Sequence, residues 1–599
     1  MPRVVPTSLL ALGALGCWLA PLSAATAPRP LEFNRDIRPI LSDKCFGCHG
    51  PDSGHRKAGL RLDIREEAMK APKSGDIPLK PGDPEGSHLL SRVLSSDPDE
   101  VMPPPEAKLP KLTAAEIAKL RRWIAEGAEY QPHWSFIPVK RPEVPPPSQN
   151  NALARNELDR LIFTRLAKRG FAPRPEARRE TLLRRVTLDL TGLPPTASEA
   201  RAFFADTEPG AYERLVDRLL ASTAYGERMA TDWLDVARYA DSYGFQVDRD
   251  REVWPWRDWV IGAFNRNLPF NDFVTWQLGG DLLPQPTEEQ ILATAFNRLH
   301  QQEAEGGSVD EEYRVEYVCD RVQTFGTAFL GLTLECSKCH DHKFDPVTQK
   351  EFFQLFAFFN NQDESGLYSF FSPGDAPTPA TKLIPDNVKT RLAELEQAAQ
   401  SAHAHLQKVR ASQTDAFARW LTQREPSLSI PGEIARFAFN ESGSVKKLAN
   451  DIDPKKPASL SGENKLVPGV SGQAVEFGGD DALDLPVGAF DRVHPFSVSL
   501  WIQTPDAKER AVIFHRSKAW SDAASRGFEL LLEEGRLKWS LIRFWPGDAA
   551  SIRAKAPVTP GEWTHVVVTS DGSGRAAGLR ILLNGKPLEV DVIQDSLSR

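Results

Sequence analysis

Two short stretches decide how the first half of this chain is read: "KCFGCHG" at residues 44–50 and "ECSKCHDHKFDP" at residues 335–346. Each holds two cysteines separated by two residues and followed at once by a histidine. These are Cys45, Cys48 and His49 in the first, and Cys336, Cys339 and His340 in the second. The 599-residue chain has 6 cysteines, and the other two are Cys17 and Cys319. That is too few for a disulfide scaffold, so the repeated spacing answers to a local chemistry that occurs twice.

Three chemistries use a Cys-x-x-Cys pair. A thioredoxin-like site opens a helix after a strand, whereas residues 31–44 are patterned as an amphipathic helix. A zinc site needs four ligands at a recognisable spacing, and His55 or His88 would have to join His49. Neither reading explains a histidine directly after both pairs. In Cys-x-x-Cys-His the two thiols add to the vinyl groups of haem and the adjacent imidazole reaches iron from one face. Haem c is therefore expected at Cys45, Cys48 and His49, and a second at Cys336, Cys339 and His340.

An iron held by histidine needs a second axial ligand or keeps an open face. Met102, in the proline-rich "DEVMPPPEAKLP", is expected opposite His49, because proline pre-orders the loop that presents its thioether. Met69 is the rival, on a predicted helix. At the second motif His342 is too near His340 to swing to the far face and reads as a supporting hydrogen-bond partner. His300, in "FNRLHQQEAEGG", is the candidate from a separate segment. Cys319 is expected to be a buried, inert thiol. Glu303, Glu305, Asp341 and Asp345 read as helix caps or as partners of arginines such as Arg314 and Arg321, not as catalytic groups.

The composition is that of a soluble globular protein, with 41% apolar and 26% charged residues, 14 Trp and 31 Phe. The length calls for several domains. A net charge of -8 gives no reason to expect nucleic acid as a partner. Residues 1–27 read as a secretory signal peptide, with an apolar run from Leu9 to Leu22 and small residues suited to cleavage near Ala25 and Ala27. No later stretch is a transmembrane span, so the chain is expected to be exported to the periplasm or cell surface of a bacterium.

Residues 31–130 read as one all-α module ending in the helix of "LTAAEIAKLRRWIAEGA". Thr113 is its expected N-cap, Glu116 the capping-box partner and Gly127 the C-cap glycine. Two helices and a long proline-rich loop make a shell that needs something large to enclose. Residues 151–361 are mainly helical and carry the second motif, with Trp233, Trp254, Trp256, Trp259 and Trp276 expected in packing roles. Residues 384–422 read as a long exposed helix or short coiled-coil segment. From 430 to 599 the period shifts to short alternating segments, the pattern of an antiparallel β-sandwich of jelly-roll type. The chain ends soon after a hairpin, so a closing strand or a further domain is expected to be missing.

The residues "FNRDIRPILSDKCFGCHGPD", "GLRLD", "PGDPEGSHLLSRV", "MPPP" and "LTAAEIAKLRRWIAEGA" resemble the cytochrome c-like domain of large secreted planctomycete proteins. The resemblance implies haem attachment at Cys45 and Cys48, His49 as proximal ligand and Met102 as the methionine of the "MPP" loop. "LGLTLECSKCHDHKFDPVTQKEFFQLFAFFNN" resembles the hallmark of the helical domain of unknown function that follows it. The segment from 430 is similar to concanavalin-type, laminin G-like sandwiches.

The function expected is electron transfer by a secreted haem protein, to a redox partner protein or small electron carrier, with the sandwich binding a glycan. Two alternatives stand beside it. One is a haem-dependent oxidoreductase acting on a polysaccharide or its products, which turns on an open face at the second iron. The other is a cell-surface carbohydrate-binding protein, in which Trp501, Trp539, Trp545 or Trp563 stacks on sugar rings.

Overall fold

The computed structural model describes residues 29–71, 75–146, 153–245, 248–368, 377, 380–423, 430–442, 446–479, 482–517 and 526–598. The expected signal peptide and Cys17 lie outside the described residues. The chain divides into two compact units: residues 1–169 together with 334–353, and residues 170–333 together with 354–599. The second motif therefore falls in the same unit as the N-terminal module.

In the first unit a turn at Phe33–Ile37 leads into the helix Arg38–Lys44, and the single turn Phe46–His49 follows after Cys45. Ile37, Leu41 and Phe46 point inward and join Leu79, Leu90, Leu120, Trp123 and Ile124 in one apolar core. Phe33 stacks on Tyr130 at 4.3 Å between ring centroids. These side chains form an apolar core within the module. The closing helix, Ala114–Ala125, has the expected ends. Glu116 N–H donates to Thr113 Oγ1 at 3.2 Å while Thr113 N–H donates to Glu116 Oε2 at 2.7 Å. Gly127 takes φ +105 just past the helix, and Ala128 N–H closes back on the Trp123 carbonyl.

The second unit begins with helices that pair through their apolar faces. Trp256 and Trp259, on the helix Trp254–Asn265, are buried among Ala230, Ala263, Phe273 and Phe296. Trp233 and Trp276 pack against that cluster, as expected, but Trp254 stands exposed. Asp386–Gln423 is one helix of 38 residues with no buried residue among those described, matching the expected exposed helix.

The C-terminal region forms antiparallel sheets consistent with a concanavalin-like sandwich. One sheet has five strands in the order Val590–Asp595, Asp548–Ala554, Arg536–Phe544, Gly527–Glu533 and Arg510–Ser517. Another has four, in the order Lys586–Pro587, Leu579–Leu583, Thr564–Ser570 and Phe496–Ile502. Burial alternates residue by residue along Thr564–Ser570, so Val566 and Val568 point into the core with Trp539, Leu541 and Ile552.

Candidate functional site

The turn Phe46–His49 is built by backbone bonds from Cys48 N–H and His49 N–H to the Cys45 carbonyl, at 3.1 and 2.8 Å. Residues three and four apart on a helical turn share a face, so Cys45, Cys48 and His49 are presented together. Further bonds fix the turn from the other side: Lys57 N–H donates to the Cys48 carbonyl and Leu62 N–H to the His49 carbonyl, both at 2.8 Å.

Cys45 packs against the apolar core, and burial pushes its thiol up to about 12. A thiol so hard to ionise is a poor zinc ligand and a poor redox nucleophile. As a thioether it would carry no charge, which suits the apolar surroundings. Burial also holds His49 below the ordinary histidine range, so the ring is neutral, the form that ligates a metal. Its Nδ1 is buried with no hydrogen-bond partner, a vacancy in the ring's bonding that a bound group would answer. The first motif therefore fits haem c on three counts. Among the described residues no three His, Cys, Asp or Glu side chains come together as a metal-ligating group.

Met102 sits half-buried after the helix His88–Leu94 and before the turn Pro105–Ala107. Its N–H donates to the Arg92 carbonyl at 3.0 Å, and Arg92 Nη1 donates to the Glu100 carbonyl at 3.1 Å. The loop is thus pinned to the end of that helix. Met69 packs against the apolar core instead. His88 is engaged with Ser91 and Arg92.

The second motif lies in the same unit as the first. Cys336, Cys339 and His340 form a comparable turn, with Cys339 N–H and His340 N–H both 3.3 Å from the Cys336 carbonyl. Both cysteines are exposed. The His340 ring meets the His55 ring edge-on at 6.1 Å, and its Nδ1 lies 3.7 Å from Asp52 Oδ2. Asp52 is buried and bonds His55 Nδ1 at 2.6 Å. Burial works against its charge, but the bonds from His55 and Gly54 prevail and hold the carboxyl below its usual range.

The residues after His340 complete the docking. Arg38 Nη2 donates to the Phe344 carbonyl at 3.1 Å and stands 3.6 Å from Asp345 Oδ1. His133 Nε2 pairs with the same Asp345 oxygen at 3.0 Å. Lys343 reaches over the first motif, so that a Cβ added at Gly47 would meet its Cε at 3.1 Å. His342 is buried, and its Nδ1 accepts N–H groups of Phe344 and Asp345. It holds the turn in shape, as its sequence position implied.

His300, the candidate from a separate segment, is buried in the second unit, with Nδ1 2.7 Å from the Gln301 carbonyl and Nε2 2.9 Å from Arg321 Nη2. Both ring nitrogens are spent on protein partners. Arg321 also holds Glu364 through Nη2–Oε2 at 2.7 Å and Nη1–Oε1 at 2.5 Å. Burial first, and then Arg321, push His300 down to about 3, so the ring is neutral in this cluster.

The acidic residues take structural parts. Glu303 Oε1 accepts the N–H groups of Ala304 and Glu305, and Asp341 Oδ1 accepts that of Gln349. Arg314 pairs with Glu311. Cys319 is buried, as expected. Of the sandwich tryptophans, Trp539 is buried and donates to the Thr569 carbonyl, and Trp545 and Trp563 are half-buried. Trp501 is 50% exposed and packs beside His565, whose Nε2 is 2.8 Å from Ser499 Oγ.

Three family models match the chain. Residues 45–106 match the family model for planctomycete cytochrome C, which implies haem c. Residues 157–364 match a family of unknown function, DUF1549, and residues 477–598 match the concanavalin A-like lectin/glucanases superfamily. No curated protein matches the chain. Solved structures similar to part of it include an S-layer domain-containing protein from Clostridium thermocellum. That match has 23% identity and a TM-score of 0.19, over 26% of this chain and 71% of that one. Another is the binding domain of Paraclostridial Mosquitocidal Protein 1, with 14% identity and a TM-score of 0.21, over 26% of this chain and 40% of that one. A third is the binding domain of botulinum neurotoxin serotype G, with 15% identity and a TM-score of 0.19, over 24% of this chain and 37% of that one. No helix among the described residues is long and apolar enough to cross a membrane.

Proposed function

We propose that this chain, which carries in order a planctomycete cytochrome C domain, a DUF1549 domain and a concanavalin-like domain, is an exported c-type cytochrome that transfers electrons through two haems. The observation that carries the reading is the docking of residues 334–353 beside the first motif, with His340 against Asp52 and His55.

When bound, haem c supplies a one-electron couple at iron. Cys45 and Cys48 would attach it, and His49 would offer a neutral imidazole. Met102 presents a thioether from a loop pinned to Arg92. Cys336, Cys339 and His340 offer the second attachment. Asp52 holds His55 and stands beside His340, which keeps the two segments in register. Electrons would leave to a redox partner protein or small carrier, and the sandwich would hold the molecule to a glycan through the face that carries Trp501.

A spectroelectrochemical titration of the full chain tests the reading. Two electrons per chain are expected, falling to one when Cys336 and Cys339 are both changed to serine. A chain whose absorbance shows no reversible redox step would overturn it.

One observation favours a second reading, a haem-dependent oxidoreductase. His300 is committed to Gln301 and Arg321, so it does not supply the ligand expected opposite His340. An iron with an open face there would bind carbon monoxide when reduced, whereas two six-coordinate irons would not.

A further inference from the structure

The helix Asp386–Gln423 carries a heptad repeat along its length. Steps of four and three residues alternate without a break from Val388 to Trp420. One set of core positions, a, holds Leu392, Ala399, Leu406, Gln413 and Trp420; the other, d, holds Val388, Leu395, Ala402, Val409 and Ala416. A strict seven-residue repeat drifts around a straight helix, so it suits a partner helix wound about it and not a flat protein surface.

The stripe is open to water. Every residue of this 38-residue helix is exposed, and Val388, Leu392, Leu395, Leu406, Val409 and Trp420 are each between 41% and 51% exposed. At its N-terminal end Lys389 Nζ lies 2.8 Å from Glu288 Oε2, which ties the helix to the second unit. Helices in proteins draw most of their stability from packing an apolar face, and this one presents such a face to solvent.

Length narrows what can cover it. The longest other helix among the described residues, Asp310–Phe325, has 16 residues and already buries Tyr317, Val318 and Val322. A second copy of the chain brings a helix of equal length with the same repeat.

Side-chain size sets the direction in which two copies meet. In a parallel pair a faces a and d faces d. Ala399, Ala402 and Ala416 would then each face their own counterpart in thin layers, and Trp420 would face Trp420 in a thick one. In an antiparallel pair a faces d. Centring the two helices sets Leu392 against Ala416, Leu406 against Ala402 and Val409 against Ala399, with Leu395 on Gln413 and Trp420 on Val388. Every alanine then meets a larger side chain, which lets successive layers fill to one thickness. Sliding one helix by a heptad in either direction would set Ala399 against Ala402 or Ala416, so the centred register is favoured. The flanking charges agree with it. Glu396 faces Arg410 of the second copy, and twofold symmetry makes that pair twice. Arg391 faces Arg419, but Glu394 at 2.8 Å already balances Arg391.

We propose that Asp386–Gln423 joins two copies of this chain as an antiparallel two-stranded coiled coil. The dimer stands whether or not haem is bound at either cysteine motif.

Sedimentation equilibrium of the full chain tests the proposal, and a mass of two chains is expected. Leu406→Glu keeps a strong helix former and should weaken association about a hundred-fold or more, because two leucines leave the interface. Ala404→Glu, on the opposite side of the helix, should leave the dissociation constant unchanged. Glu396→Arg and Arg410→Glu should each weaken association about three- to ten-fold, and the two together should restore it. Along one helix, and between parallel helices, these two positions are about 21 Å apart, so restoration reports the antiparallel pairing. The proposal fails if the chain is monomeric at every concentration, which would leave the stripe to its own chain or to a different protein. It fails equally if Leu406→Glu associates as the native chain does, or if the double charge reversal does not restore association. Should circular dichroism show that Leu406→Glu has lost helix, the charge-reversal set decides.

Discussion

Gly50 follows the first motif, where an added Cβ would fall 2.4 Å from the Phe46 carbonyl oxygen and 2.9 Å from Phe46 Cβ. The chain turns too tightly there for a side chain, so Gly50→Ala would either open the Cys45–His49 turn or store about 1–3 kcal/mol of strain. Reduced covalent haem per chain, measured by absorbance against intact mass, is the expected outcome. Met102→His should keep the haem attached but lower its midpoint potential, because a thioether ligand favours the reduced iron. An unchanged potential would remove Met102 from the site. His300 makes a different kind of prediction. Its unfolded value is near 6.5, and burial and Arg321 lower the folded value to about 3. The unfolded chain therefore binds more protons between these values. The stability tied to a neutral His300 is complete above about pH 6.5 and is lost toward pH 3, at up to about 1.4 kcal/mol per pH unit. Glu364, also held low, loses its contribution as pH falls below the ordinary carboxylate range. Urea titrations of the native chain and of His300→Gln across that window should show the variant with the shallower pH slope.

At the scale of elements, two close approaches set the packing of the second unit. Gly226 lies on the helix Thr223–Val236 where a Cβ would come within 2.4 Å of the Ile261 carbonyl on Trp254–Asn265. Its N–H also bonds Asn265 Oδ1 at 2.8 Å. Gly226→Ala should cost about 1–3 kcal/mol by forcing the helices apart, read as a lower urea midpoint. In the first unit, Thr113→Ala should cost about 1 kcal/mol by removing the capping box. That cap was legible in the sequence because its whole cause lies within four residues, as was the Gly127 stop. The Cys-x-x-Cys-His turns were legible for the same reason. The docking of residues 334–353 on the first unit was not, because it depends on Arg38, Asp52, His55 and His133 meeting partners far away in sequence. The surroundings of His300 were not legible for a related reason. A lone histidine carries no sign of the arginine and glutamate that will bury it, and Glu364 lies beyond any local window. The apolar periodicity of residues 31–130 was enough to foresee its helices.

For the whole molecule, alternation from residue 430 onward was enough to foresee antiparallel sheets, because period-two burial follows directly from the pleat. It did not say which tryptophan faces out; the register placed Trp539 inside and Trp501 outside. The two ends of the chain thus differ in how they were read: chemistry-bearing spacing at one, bare periodicity at the other. What joins them into one account is that two Cys-x-x-Cys-His motifs, far apart in sequence, share one compact unit. The most direct measurement is haem stoichiometry. The full chain would be exported from a host with cytochrome c maturation machinery, then examined by pyridine haemochrome absorbance and intact mass. Two covalent haems per chain is the predicted result; a single haem, or none, would contradict the account.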